Sequence, residues 1–104
     1  MVKVSVMYPY SEGKKFDMAY YVEKHMPMVR AKIGAACKGI AVEHGIAGAA
    51  AGAPPTYIAM GHAFFDSAEA FRAAWAPHAE AIMGDVPNYT TIQPILQVSE
   101  VKMK

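Results

Sequence analysis

The sequence predicts an α+β fold with the element order β-α-β-β-α-β, and three observations carry that prediction. Residues 2–8 alternate with period two, placing Val2, Val4, Val6 and Tyr8 on one face and Lys3, Ser5 and Met7 on the other. Two later segments, around residues 18–33 and 68–84, repeat apolar residues at helical spacing. Runs rich in β-branched and aromatic residues follow each helical segment. Four strands with two helices on one face make a two-layer, ferredoxin-like sandwich. At 104 residues the chain is expected to form one domain, residues 1–104.

Each element has its own local cause. Pro9 ends the first strand, because proline has no N–H to give to a ladder. Ser11, Gly13 and two lysines make a loop, and Asp17 is placed as a helix N-cap. Phe16 before the cap and Tyr21 inside the first turns form a hydrophobic staple. The first helix is expected over residues 18–33, with Gly34 as its stop and Met18, Val22, His25, Val29 and Ile33 along its buried stripe. Pro27 removes a hydrogen bond to the Glu23 carbonyl, so a distortion is expected beside His25.

Residues 38–45 read as the second strand and residues 57–65 as the third, joined by an alanine- and glycine-rich loop that ends in Pro54-Pro55. Neighbouring strands joined in this way pair antiparallel. In the third strand Ile58, Met60, His62 and Phe64 share one face. Asp66 or Ser67 caps a second helix whose stripe is Ala68, Phe71, Trp75, His78 and Ile82, interrupted by Pro77 and closed by Gly84. A turn-rich connector leads to a last strand expected over residues 91–103.

Composition narrows the function. A net charge of +1 supplies no basic stripe for nucleic acid. No run approaches the roughly 20 apolar residues of a membrane span. The alternation begins at once and holds neither a long apolar run nor a cleavage site, so no secretory leader and a cytoplasmic location are expected. The single cysteine, Cys37, fits a reducing compartment and reads as a small packing residue. Apolar residues make up 54% of the chain, above the usual range of about 45–50%. On the third strand Tyr57, Ala59, Gly61, Ala63 and Phe65 form the second face, and that face is not suited to water. With both helices already used on the other side, a second copy of the sheet is the economical cover, which predicts a homodimer.

His25 and His78 are the leading candidates for chemistry. Each falls on the apolar stripe of its helix, beside a proline, and so points toward the sheet. If His62 faces the helices as well, three imidazoles border one helix–sheet space. Burial disfavours the imidazolium, so such a histidine can act as a neutral base near pH 7. The plainer reading of each is a core histidine bonded to backbone. Tyr20, Tyr21 and Tyr89 offer phenol hydroxyls. Asp85 and Asn88 form a polar knot whose plainer reading is turn chemistry. Met60, Phe71 and Trp75 are core by spacing and pocket lining in second place. No helix carries two metal ligands at one-turn spacing, there is no cysteine cluster, and no metal is expected.

Phe16-Asp17-Met18-Ala19-Tyr20-Tyr21 with Lys24-His25-Met26-Pro27-Met28-Val29 resembles the EthD family. A second block agrees: Gly61-His62, Phe65-Asp66-Ser67, Ala76-Pro77-His78-Ala79 and the stretch Ile82 to Thr90, with Ile92-Gln93-Pro94 after it. The resemblance spans almost the whole chain and implies a dimeric α/β barrel. The family is named after a protein associated with bacterial ether degradation and is filed loosely with oxidoreductases. Related folds include cofactor-free antibiotic-type monooxygenases, polyketide cyclases, muconolactone isomerases and haem-degrading enzymes, whose sites lie between helices and sheet of one protomer. The expectation is therefore a cofactor-free enzyme acting on a small apolar or aromatic metabolite. In it His25 and His78 are acid and base, and Tyr21, Met60, His62, Phe71, Trp75, Asp85, Asn88 and Tyr89 surround the substrate. A non-catalytic carrier of a small apolar ligand and a haem-binding protein are the alternatives.

Overall fold

A computed structural model describes all 104 residues. Alternation in the first segment gives strand β1, Val2–Pro9. Strands β2, β3 and β4 are Gly39–His44, Tyr57–Phe65 and Ile95–Glu100. They form one four-stranded antiparallel sheet in the order β2-β3-β1-β4, so the first strand lies inside the sheet and the last lies at an edge. This is the ferredoxin-like arrangement that the element order predicts.

The first helical element, α1, covers residues 18–33. The Asp17 carboxylate caps it, accepting from the Tyr20 amide at 3.0 Å, and Phe16 packs edge-on to Tyr21 at 5.1 Å between centroids. The distortion expected from Pro27 is a π turn, Tyr21–His25, set between the α-helical stretches Met18–Tyr20 and Met26–Ile33. Widening the coil moves the Glu23 carbonyl away from the proline ring and absorbs one extra residue. The extra residue turns the buried stripe. Tyr21, His25, Met26, Val29 and Ile33 are buried, while Val22, expected inside, is 47% exposed. Gly34 ends the element with φ of +70°, a conformation that favours glycine.

The second helical segment departs further from expectation. Ser67 caps α2, Ala68–Trp75, by accepting from the Ala70 amide at 3.0 Å. The helix stops there, and a separate short helix, α3, spans Ala79–Gly84. Pro77 cannot donate to the carbonyl one turn back, so the ladder breaks before His78. β4 begins at Ile95, later than expected, because a bend over residues 91–92 and Pro94 precede it.

The strand pairing also corrects the assignment of faces. Val4 pairs with Ala63, Val6 with Gly61 and Tyr8 with Ala59, so these residues share a face. Tyr8 packs against Tyr21 and Phe65 against Phe71, so that face is the one under the helices. The small residues Ala59, Gly61 and Ala63 were expected on the open side, yet they are where the helices come closest. A Cβ added at Gly61 would collide with the Tyr21 hydroxyl. Met60, His62 and Phe64 therefore face away from the helices. No helix is long and apolar enough to cross a membrane.

Candidate active site

Between helices and sheet lies a cavity of about 50 Å³, lined by Tyr8, Tyr21, His25, Gly61, Phe71 and Trp75 among others. No lysine, arginine, aspartate or glutamate lines it. It is small beside the roughly 300–1,000 Å³ of ordinary ligand sites, so an occupant must part the lining. Met83 and Leu96, 37% and 42% exposed, are the most exposed large apolar side chains of its lining.

His25 is the polar side chain that α1 turns into this wall. It is 4% exposed. Its Nδ1 lies 2.9 Å from Asp85 Oδ2, and the other carboxylate oxygen accepts from the Tyr20 hydroxyl at 2.8 Å and the Asn88 amide at 2.9 Å. The Tyr21 ring, one turn before His25 on the same element, stacks on the imidazole at 5.4 Å with 14° between planes. On the far side His25 Nε2 lies 3.4 Å from the Tyr89 hydroxyl, which is 2.6 Å from that of Tyr8.

The electrostatics define the protonation states. Burial lowers the His25 pKa, and Asp85 opposes that shift without cancelling it. Burial raises the Asp85 pKa, but hydrogen bonds from Asn88, His25 and Tyr20 outweigh it and hold the carboxyl below its ordinary value. The pair is then neutral imidazole and carboxylate near pH 7: Nδ1–H donates to Asp85 and Nε2 keeps its lone pair. Burial drives Tyr8, Tyr21 and Tyr89 above the ordinary phenol range, so all three stay protonated.

These shifts make stability depend on pH. A group with a depressed folded pKa binds fewer protons folded than unfolded, so its contribution is present above the unfolded value and is lost as pH falls through the folded value. For His25 that loss begins below 6.5 and for Asp85 below 3.8. Thermal melts are expected to show a falling melting temperature from about pH 6.5 downward. In Asp85→Asn the second, more acidic component should disappear.

The expected site residues divide sharply. Tyr21, His25, Phe71 and Trp75 line the cavity, while Asp85 and Tyr89 reach it through His25. Asn88 is exposed and spends its amide on Asp85, which makes it a support of the carboxylate. His78 does not line the cavity. It takes a non-helical conformation at the start of α3, because the helix that would have turned it inward ends at Trp75. Met60 lies on the opposite face of the sheet. His62 belongs to the strand wall, but its ring is turned to that opposite face, where Nδ1 meets Ser5 Oγ at 2.8 Å and Nε2 meets Glu43 Oε1 at 3.0 Å. Sequence reasoning did not single out Tyr8 for the site. Its partner Tyr89 stands 81 residues away, and no local pattern links the two. No group of three or more His, Cys, Asp or Glu side chains is placed to hold a metal ion.

Comparison with known proteins agrees with this geometry at the level of family and fold. An EthD-like protein from Ralstonia eutropha is 54% identical, covers 99% of this chain and 93% of that one, and superposes with a TM-score of 0.95. A candidate antibiotic biosynthesis monooxygenase from Deinococcus radiodurans is 13% identical over 100% of this chain and 95% of that one, with a TM-score of 0.65. A dimeric ferredoxin-like protein of unknown function from Thermobifida fusca is 16% identical over 96% and 90%, with a TM-score of 0.59. At such low identity the latter two share the fold alone. No curated protein matches the chain. Residues 11–93 match the EthD domain model, and with the Ralstonia protein alike over nearly its whole length, this chain belongs to the EthD domain family.

Proposed function

We propose that the protein is an acid–base enzyme that works as a homodimer, without a bound cofactor, on a small apolar molecule carrying an oxygen. One observation carries the reading: a buried histidine, oriented by a carboxylate that accepts three hydrogen bonds, stands with tyrosines in the wall of a mostly apolar cavity. A general base needs a free lone pair within reach of the proton it takes, and a pKa low enough to be neutral at working pH. His25 is neutral near pH 7 and carries its lone pair at Nε2, where the Tyr89 hydroxyl is its neighbour at 3.4 Å. Asp85 then stabilises the imidazolium that forms, and the stacked Tyr21 ring keeps the imidazole in plane. The substrate is neutral, since no cation lines the cavity to hold an anion. Loss of a proton next to a carbonyl or phenol oxygen is the first step shared by isomerase, cyclase and cofactor-free monooxygenase chemistry, and the fold likeness to a candidate monooxygenase supports that range.

Support for the dimer comes from the uncovered side of the sheet. Met7, Met60 and Phe64 lie there half-buried, with Ile95 of the edge strand β4 exposed beside Met7, while Leu96 and Val98 are exposed on the helix-facing side of that edge. A fold relative is described as dimeric. The haem alternative needs a histidine with a free ring nitrogen at the cavity, whereas His25 and His62 have both nitrogens engaged.

The test uses 1-tetralone and similar apolar ketones in heavy water. NMR is expected to show deuterium entering next to the carbonyl, with His25→Ala slowing exchange by about 10²–10⁴-fold while binding persists. Binding without exchange by the unaltered protein would favour a carrier. Sedimentation as a monomer at micromolar concentration would remove the homodimer.

A further inference from the structure

The hydrogen bonds around His25 have a direction that can be worked out from the carboxylate. Ionised Asp85 only accepts, so His25 Nδ1 donates to it. Neutral His25 has then only a lone pair at Nε2, so the Tyr89 hydroxyl donates there. Tyr89 has now spent its single hydrogen, so in the 2.6 Å contact between the two phenols Tyr8 must be the donor. The chain of donors runs Tyr8, Tyr89, His25, Asp85. Tyr8 accepts from no member of this chain; the neighbouring Tyr21 hydroxyl donates to one of its two lone pairs, and the second is left for a substrate. Tyr8 lines the cavity and Tyr89 does not.

We propose that Tyr8 is the residue that meets the substrate proton, and that the proton's charge reaches His25 by a relay through Tyr8 and Tyr89. This rests on the acid–base reading given above. In the step, the substrate's C–H or O–H bond breaks and its electron pair stays on the substrate. The proton joins the Tyr8 oxygen as Tyr8 passes its own hydrogen to Tyr89 and Tyr89 passes its hydrogen to His25 Nε2. The products are the substrate anion and an imidazolium paired with Asp85, with both phenols neutral again and turned about. Neither tyrosine is held as a tyrosinate, in keeping with the buried setting that resists their ionisation. The Tyr89 hydroxyl stands against Nε2, so a substrate in the cavity approaches the base through the phenols. The 3.4 Å link is long at rest and is of the kind that shortens when a substrate engages.

Two measurements test the relay. In the ligand-free protein, the ¹⁵N resonance of His25 Nε2 should shift in Tyr89→Phe, and also in Tyr8→Phe, because loss of the Tyr8 donor weakens Tyr89 as a donor. A resonance unmoved by Tyr8→Phe overturns the relay. In the second, bound 4-nitrophenol is followed by its phenolate absorbance. The unaltered protein should raise the phenolate fraction above that of free dye at the same pH, and Tyr8→Phe, Tyr89→Phe and His25→Ala should each abolish the gain. If Tyr8→Phe keeps the gain while His25→Ala loses it, the relay is wrong and His25 takes the proton directly. If His25→Ala keeps it, or the unaltered protein shows none, the relay falls and the acid–base reading loses its support with it.

Discussion

Asp85→Asn is expected to cost about 10²–10⁴-fold in turnover, with substrate affinity nearly unchanged. The substitution keeps shape and size, so its effect falls on protons. An amide turned to donate toward His25 Nδ1 requires a lone pair there, which moves the imidazole hydrogen to Nε2. The base then has no lone pair on the side it needs, and its new N–H confronts the Tyr89 hydroxyl. An amide turned the other way keeps the tautomer but sets its NH₂ against the Tyr20 hydroxyl and the Asn88 amide, which are both donors. Either outcome also removes the negative charge that stabilises imidazolium. The check is deuterium exchange with 1-tetralone, together with ¹⁵N spectra that report which ring nitrogen carries the hydrogen. Retained exchange and an unchanged tautomer would mean that Asp85 does not orient the base.

The second large effect is structural. Gly61→Ala places a methyl group where the Tyr21 hydroxyl sits, with the ring carbon that bears it only 3.2 Å away. The ring has little room to retreat, because Tyr8 and Phe16 pack edge-on to it and His25 is stacked on its face. Overpacking of this kind costs about 1–3 kcal/mol. In a chain of this length each kcal/mol lowers the melting temperature by about 4–8 °C. Tyr21→Phe removes the colliding oxygen, so the double variant should recover most of the loss. Additive losses in that cycle would show that the strain lies elsewhere.

Features legible in the sequence were those with local causes. Asp17, Ser67, Pro9 and Gly34 each act within a few residues of themselves, and each does in the structure what its chemistry dictates. The place of His25 was legible for the same reason, since helical spacing and a neighbouring proline fix its surroundings. His78 carried an equal signal and lost its place, because a proline that one helix absorbed as a π turn ended the other. The faces of β3 were misjudged on a real ambiguity. Both faces are apolar, and small residues suit an uncovered surface as well as a close approach. Only the register with β1, and the tyrosine seated on Gly61, decide between them. The pairing of Tyr8 with Tyr89 is tertiary and leaves no mark on either segment.

The sheet order has a consequence for how the molecule comes into being. β1 is made first, yet its two neighbours are residues 57–65 and 95–100. Its backbone must wait through most of synthesis before it finds either partner, and closing such long loops costs entropy before any contact repays it. Helices α1 and α2 can coil early and locally, but His25 then has no sheet to face. During that interval the alternating apolar segment at the start of the chain is an unpaired strand, the kind of surface that invites association with other chains and the attention of chaperones. The cluster of Tyr8, His25, Asp85 and Tyr89 draws on β1, α1 and the segment after α3, so it too must wait until distant parts of the chain have met.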